Sequence, residues 1–418
     1  MSALAKILLK FGKNVAGYDR EEGEYTQELS KIGVCVTFNP NCDVSGYDAV
    51  VYTDALPENS PAIIQARRLN KVLIPRGELL YEVSRAFKRT VAVAGCHGKT
   101  TCTAMIAHIF AAAGKAFSLH VGGNDISLSN AFVSGADYFI TEACEYKKNF
   151  LYLKPDFAVI LNSDADHLDC YGSAKNLKSA YMQFAQNAGD AVKLYGDLPE
   201  VNCSAFGFDD RATYYAKKIK NVNGKFSFTA YEENTELGSV SLAVCGKHNV
   251  LNALAAIAVA QKYGIPFGFV AQGLQNFKGV KRRFEKIGRY NGAVCIADYA
   301  HHPNEIKAAI KTAKLVTRGE VFVVFQPHTY SRTKNLFKQF TAVLSTVKKL
   351  MVYKTYAARE YYDDAGSALT LAGAIKRSHY GENISDILRF ISSAGEDDAV
   401  LFLGAGDIYE IAKNILRD

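Results

Sequence analysis

The stretch TVAVAGCHGKTTCTAM at positions 90–105 constrains the fold more than any other part of the chain. Residues 90–94 are β-branched and apolar, with the length of a strand. Gly95-Cys96-His97-Gly98-Lys99-Thr100-Thr101 is a glycine-punctuated loop, and 104–113 reads as the start of an apolar, Ala-rich helix. Strand, glycine-rich turn and helix in that order form the setting of a phosphate-binding loop. Glycines let backbone N–H groups converge on phosphate oxygens, and the helix N-terminus adds its partial positive charge. Lys99 then reaches the β- and γ-phosphates, and the Thr100 hydroxyl can ligate Mg²⁺. The strict pattern has a glycine five residues before Gly98, where this chain has Val93. An ordinary strand-to-helix turn is the bland alternative; the flanks on both sides favour a nucleoside triphosphate site.

Length allows about two to four domains, each with its own core. The net charge of +7 is modest for 418 residues and its lysines and arginines are scattered. That suits acidic, phosphorylated small molecules and argues against nucleic acid as a partner. No run of apolar residues is long enough to span a membrane, and MSALAKILLKFGKN is amphipathic without a secretory cleavage site. Nine cysteines without a C-x-x-C pair read as the reduced thiols of a cytoplasmic enzyme. Cys96 and Cys144 are candidate reactive thiols, with buried filling the more ordinary role.

Residues 1–88 alternate short helices and strands, with strands over 14–18, 34–38, 49–52 and 72–74. Such βα units imply a parallel sheet. A nucleotide-binding fold of this kind opens on a strand and a G-x-G-x-x-G turn, whereas this chain opens in a helix. The expectation is a Rossmann-like domain lacking its first strand and Gly-rich loop. Further on, DYFIT (137–141) is a strand that delivers Glu142, and FAVIL (157–161) is followed by NSDADHLD with His167. Ligands of open α/β sheets sit at the carboxyl ends of strands, so Glu142 and His167 should face the phosphate loop. Thr100 and Glu142 supply two hard oxygen ligands for Mg²⁺, and His167 suits a second Mg²⁺ or Mn²⁺. Taken singly, Glu142 could be a solvated strand end and His167 a cap in an Asp-rich turn. Residues 217–244 read as hairpins, with Asn223-Gly224 as a turn signal. His248, Asn249 and Asn252 open an apolar helix and can share one face, where amides could read a purine or ribose; capping by Asn249 is the alternative. In the last block, polar clusters again follow strands: Asp298-Tyr299-Ala300-His301-His302-Pro303 after 293–297, and Gln326-Pro327-His328-Thr329-Tyr330-Ser331-Arg332 after 321–325. Lys281-Arg282-Arg283 could be a solvated face, and His-His-Pro a strand end with Pro303 starting a helix.

Seven blocks together resemble the Mur ligase family: GCHGKTT (95–101), EACEYKKNF (142–150), NSDADHLD (162–169), GKHNVLNA (246–253), RRFEKIG (282–288), DYAHHPNE (298–305) and FQPHTYSRT (325–333). The resemblance implies three α/β domains: a UDP-sugar domain at 1–88, a central P-loop ATPase at 89–277 and a Rossmann-like amino-acid domain at 278–418. It implies ATP-dependent joining of L-alanine to the lactyl carboxylate of UDP-N-acetylmuramate through an acyl phosphate; a monomer or weak homodimer is the expected state. By the same resemblance, Lys99, Thr100, Glu142 and His167 handle triphosphate and metal, while His248, Asn249 and Asn252 contact base and ribose. Arg283 and Asp298 serve ATP, and Tyr299, His301, His302, His328 and Arg332 form the amino-acid pocket, with His302 among the catalytic candidates. Asp19, Thr53 and Arg76 remain to touch the UDP-sugar. Met182 stands where some members carry a carbamylated lysine, and Thr329 where alanine-adding members often show Arg. Alternatives are a sister ligase that adds a preformed peptide and a non-catalytic nucleotide-binding homologue.

Overall fold

A computed structural model describes residues 1–54, 56, 57, 59–164 and 168–417, with 168 and 169 described in backbone only. The chain packs as two compact units. One comprises Met1–Lys218, Phe228–Val240 and Leu251–Phe277; the other comprises Ile219–Ser227, Ser241–Val250 and Lys278–Asp418. Among the described residues no helix is long and apolar enough to cross a membrane.

The first unit is built round the strand Arg89–Ala94, whose residues Val91 to Ala94 are completely buried. It lies between the parallel strands Tyr138–Glu142 and Phe157–Ile160 in a ten-stranded sheet. A strand buried on both faces needs a continuous apolar run rather than alternation, and VAVA supplies it. The helix that follows, Lys99–Ala112, starts at the loop lysine itself and is buried on every side between its first and last turns, with Cys102 to Ile106 fully buried. Sequence reading starts this helix at 104, because Thr100, Thr101 and Thr103 disfavour helix interiors; burial against the sheet overrides that preference. The strands Phe117–Asp125 and Ser129–Val133 extend the sheet beyond Tyr138–Glu142 and are not evident from their polar, glycine-interrupted sequence. The hairpin region is as read, with Tyr214–Val222, Lys225–Glu232 and Thr235–Cys245, and both Asn223 and Gly224 turn with positive φ.

Residues 1–88 form two small parallel pairs, Ala16–Tyr18 with Cys35–Thr37 and Ala49–Tyr52 with Val72–Pro75. Asp19, Thr53 and Arg76 each come directly after one of these strands.

The second unit holds a six-stranded sheet in the order Glu285–Tyr290, Ala293–Asp298, Ala399–Leu403, Val321–Phe325, Lys349–Tyr353, Ser378–Gly381. All neighbours are parallel except the first pair. Val321–Phe325 and Ala399–Leu403 are buried along their whole length, so both faces of the sheet carry a core. The polar clusters at 298–302, 326–332 and 404–407 all leave carboxyl ends of these strands.

The helix Phe267–Asn276 crosses the phosphate-loop helix so closely that a Cβ on Gly273 would stand 2.5 Å from Ile109 Cα and 2.7 Å from His108 O. Gly273→Ala should therefore lower stability by about 1–3 kcal/mol, although alanine is the better helix former by about 1 kcal/mol. The measurement is the urea midpoint by circular dichroism; a raised midpoint would mean that the two helices separate freely.

Candidate active site

Gly98 ends the loop with φ of +84°, and Gly95 has φ of +143°. A Cβ on Gly95 would lie 3.0 Å from Leu161 Cβ, and one on Gly98 2.7 Å from Asn252 Oδ1. Both positions need the missing side chain as well as the backbone freedom. The loop is clamped by Asn162, which accepts from His97 N at 3.1 Å and donates to His97 O at 3.0 Å. Cys96 is buried, its thiol donating to Asp164 O at 2.8 Å, which suits a filler rather than an exposed reactive thiol. Cys144 is half-buried and burial pushes its thiol up, so neither reads as reactive.

Lys99 lies folded over the loop. Its ammonium donates to Gly95 O at 2.5 Å and to both oxygens of Glu145, at 3.1 and 2.9 Å. Burial alone would pull this lysine's pKa down, but Glu145 and its neighbours outweigh it and hold the ammonium more firmly charged than usual. Thr100 is buried at the first turn and Thr101 half-buried beside it. Glu142 ends its strand beside the loop strand, and its Oε1 accepts from Gly122 N at 2.7 Å. Lys99 and Thr100 thus open the helix after one strand and Glu142 ends the strand beside it, while His167 lies outside the described residues. Asn252 abuts Gly98. Asn249 spends its amide on Cys245 O at 2.7 Å, and His248 starts the helix His248–Lys262 exposed to solvent. Arg76 lies 3.5 Å from Nε2 of the buried His120. Asp19 caps its own turn by accepting from Arg20 N at 2.7 Å, and Thr53 is half-buried.

In the second unit Asp298 accepts from Phe284 N at 2.8 Å and Ala300 N at 2.7 Å. Burial pushes its carboxyl up to about 6, against the pull of Arg283. The guanidinium groups of Arg282 and Arg283 lie 4.9 and 5.1 Å from the Tyr299 ring centroid. His301 Nδ1 is 3.0 Å from Tyr299 O and its ring centroid 6.1 Å from that of His328. Arg332 Nη1 is 3.1 Å from His328 Nδ1, and His328 stacks on Tyr356 at 5.6 Å. His302 is 5% exposed and caps the helix Pro303–Val316, its Nδ1 accepting from Asn304 N at 3.4 Å. The structure thus brings Tyr299, His301, His328 and Arg332 into one cluster and gives the His302 ring a capping bond.

Three family models cover the chain: "Mur ligase family, catalytic domain" at 1–88, "Mur ligase middle domain" at 93–260 and "Mur ligase, glutamate ligase domain" at 282–406. The chain belongs to the Mur ligase family. A UDP-N-acetylmuramate–L-alanine ligase of Clostridium acetobutylicum is 40% identical over 435 residues, covering 100% of this chain and 95% of the relative. The crystal structure of the UDP-N-acetylmuramate–alanine ligase of Thermotoga maritima matches with a TM-score of 0.86 at 29% identity, covering 100% of this chain and 96% of that one. A murein peptide ligase from Psychrobacter arcticus shares the fold, with a TM-score of 0.75 at 21% identity and coverage of 100% and 96%.

In this Mur ligase the partner of the loop lysine escaped the sequence reading. Glu145 lies within EACEYKKNF, and the available signal was an acid flanked by Ala143, Cys144 and Tyr146, a poor setting for a solvated carboxylate. Glu360 escaped as well; it accepts from Ser331 N at 2.8 Å and from the Ser331 hydroxyl.

Burial and the neighbouring Arg332 hold the His328 imidazole at about 4. Its folded pKa is depressed below the unfolded value of about 6.5. As pH falls below 6.5 the unfolded chain gains a proton that the folded ring refuses until about pH 4, so stability drops across that window. His328→Gln should shrink the drop in urea midpoint between pH 7 and pH 4, followed by circular dichroism. An unchanged difference between the two pH values would count against the assignment.

Proposed function

We propose that this Mur ligase phosphorylates the lactyl carboxylate of UDP-N-acetylmuramate with ATP and joins the resulting acyl phosphate to L-alanine, releasing phosphate. One observation carries the reading: a half-buried, firmly charged Lys99 folded over a loop that turns through positive φ at Gly95 and Gly98, with Glu142 at the adjoining strand end. A carboxylate resists nucleophiles through its charge and lacks a good leaving group; phosphorylation supplies one. Moving the γ-phosphoryl group is chiefly a matter of position and charge neutralisation.

In this reading the backbone N–H groups of 95–101 and the Lys99 ammonium bind the triphosphate. The Thr100 hydroxyl and Glu142 carboxylate would hold Mg²⁺, and His167 a second divalent cation. Phosphate oxygens would complete the shell of a hard ion held there. Bound there, Mg²⁺ neutralises phosphate charge. Asn252 borders the loop, and His248, Asn249, Arg283 and Asp298 are assigned to the nucleotide. Asp19, Thr53 and Arg76, at the ends of the N-terminal strands, are assigned to the UDP-sugar.

For the amino acid, Arg332 pairs with the alanine carboxylate. All three histidines engage Nδ1, and they differ in whether that nitrogen accepts or donates. His328 Nδ1 accepts from Arg332 and His302 Nδ1 accepts from Asn304 N, whereas His301 Nδ1 must donate to the Tyr299 carbonyl. This leaves the His301 Nε2 lone pair as base for the alanine ammonium, and burial keeps the ring neutral by lowering its pKa. His302 is then a structural cap rather than the base.

Phosphate release that requires both UDP-N-acetylmuramate and L-alanine tests the reaction, with an L-alanine-headed tripeptide as the competing acceptor; a preference for the tripeptide would overturn the alanine assignment. Lys99→Ala should lower turnover by about 10³-fold or more, and undiminished turnover would contradict the phosphate-loop reading. Arg332→Ala should raise the KM for alanine about tenfold or more with kcat nearly kept. His301→Gln should instead lower kcat by about 10²–10⁴-fold with little change in KM.

A further inference from the structure

Glu145 is a buried carboxylate that the reaction scheme does not use. It is 1% exposed, and the Tyr171 hydroxyl donates to its backbone carbonyl at 2.5 Å. Its side chain takes two contacts from Lys99, at 2.9 and 3.1 Å, while Gly95 O takes another at 2.5 Å. Cys96 O lies a further 3.4 Å away, so four acceptors share the three N–H donors of the ammonium. Lys99 itself is only 15% exposed on its side chain, so water does little to weaken the pair. The lysine therefore cannot bring its whole charge to a phosphate while it keeps these contacts.

We propose that Glu145 is a positioning residue that competes with the triphosphate for Lys99. It rests on the reading of the loop as a phosphate site. The carboxylate has two opposed effects. It holds the ammonium in place above the loop, where an unpaired buried cation would be expensive. It also cancels the charge that the loop offers, so a polyanion entering must first displace it or share the lysine with it. A prop without this competition would strengthen nucleotide binding; a competitor weakens it. The sign of the change on removing the charge separates the two.

The experiment titrates ATP with Mg²⁺ into the full-length protein by calorimetry, without sugar nucleotide or alanine. Glu145→Gln keeps the shape and removes the charge, and its Kd for ATP should fall roughly tenfold. Glu145→Asp draws the carboxylate back from Lys99, and its Kd should fall by a smaller factor; it carries the same test if the Gln variant does not fold. In a Lys99→Ala background, Glu145→Gln should no longer tighten ATP binding. A Kd that is unchanged or raised in the Glu145 variants overturns the proposal. The two readings fail separately. Intact ATP binding and turnover in Lys99→Ala would remove the phosphate site itself, whereas loss of both there, with an unmoved Kd in Glu145→Gln, would remove only the competition.

Discussion

A cation kept from water has to be surrounded by acceptors, and this requirement organises the first unit. The Lys99 ammonium sits above the loop between the Gly95 carbonyl and the Glu145 carboxylate. Meeting it needs a loop that turns through positive φ at Gly95 and Gly98, and an acid delivered from a segment 46 residues away. It also needs a helix whose first residue is the lysine, packed firmly enough that the ammonium cannot drift. The apolar surround of the helix Lys99–Ala112 provides that firmness, since neighbours with no room to shift leave a side chain few alternative positions.

A second regularity links the two units. Parallel strands place their carboxyl ends together, and a residue directly after a buried strand is held by the sheet yet open to a crevice. Glu142, Asp298, Gln326 and Gly404 all stand at such ends. Asp19, Thr53 and Arg76 do so on the smaller N-terminal pairs. Side chains of quite different chemistry are thus set out by one geometric device, and the resemblance to alanine-adding ligases extends over the whole chain.

The histidines show how environment assigns roles to one side chain. His328 is neutral through burial and Arg332; His301 is oriented by a backbone carbonyl; His302 caps a helix. In the string HHPNE the first two are adjacent and chemically equal. Only the partner atoms tell them apart, because a ring nitrogen facing an N–H must accept and one facing a carbonyl must donate.

From sequence alone, the phosphate loop, the hairpins at Asn223-Gly224, the buried strands 321–325 and 399–403 and the polar clusters after them were all legible. Each depends on local features: glycine spacing, apolar runs and turn residues. Strands such as Phe117–Asp125 and Ser378–Gly381 were not, since their polar and glycine residues are tolerated only because neighbouring strands pair with them. The start of the phosphate-loop helix moved to Lys99 for a related reason, packing prevailing over the threonines' weak preference. What tertiary structure alone decided was partnership: Glu145 with Lys99, Asn162 with His97, Arg332 with His328, and the capping duty of His302. Charges, donors and acceptors are written in the chain, but which of them meet depends on distances that exist only after the strands have been laid side by side.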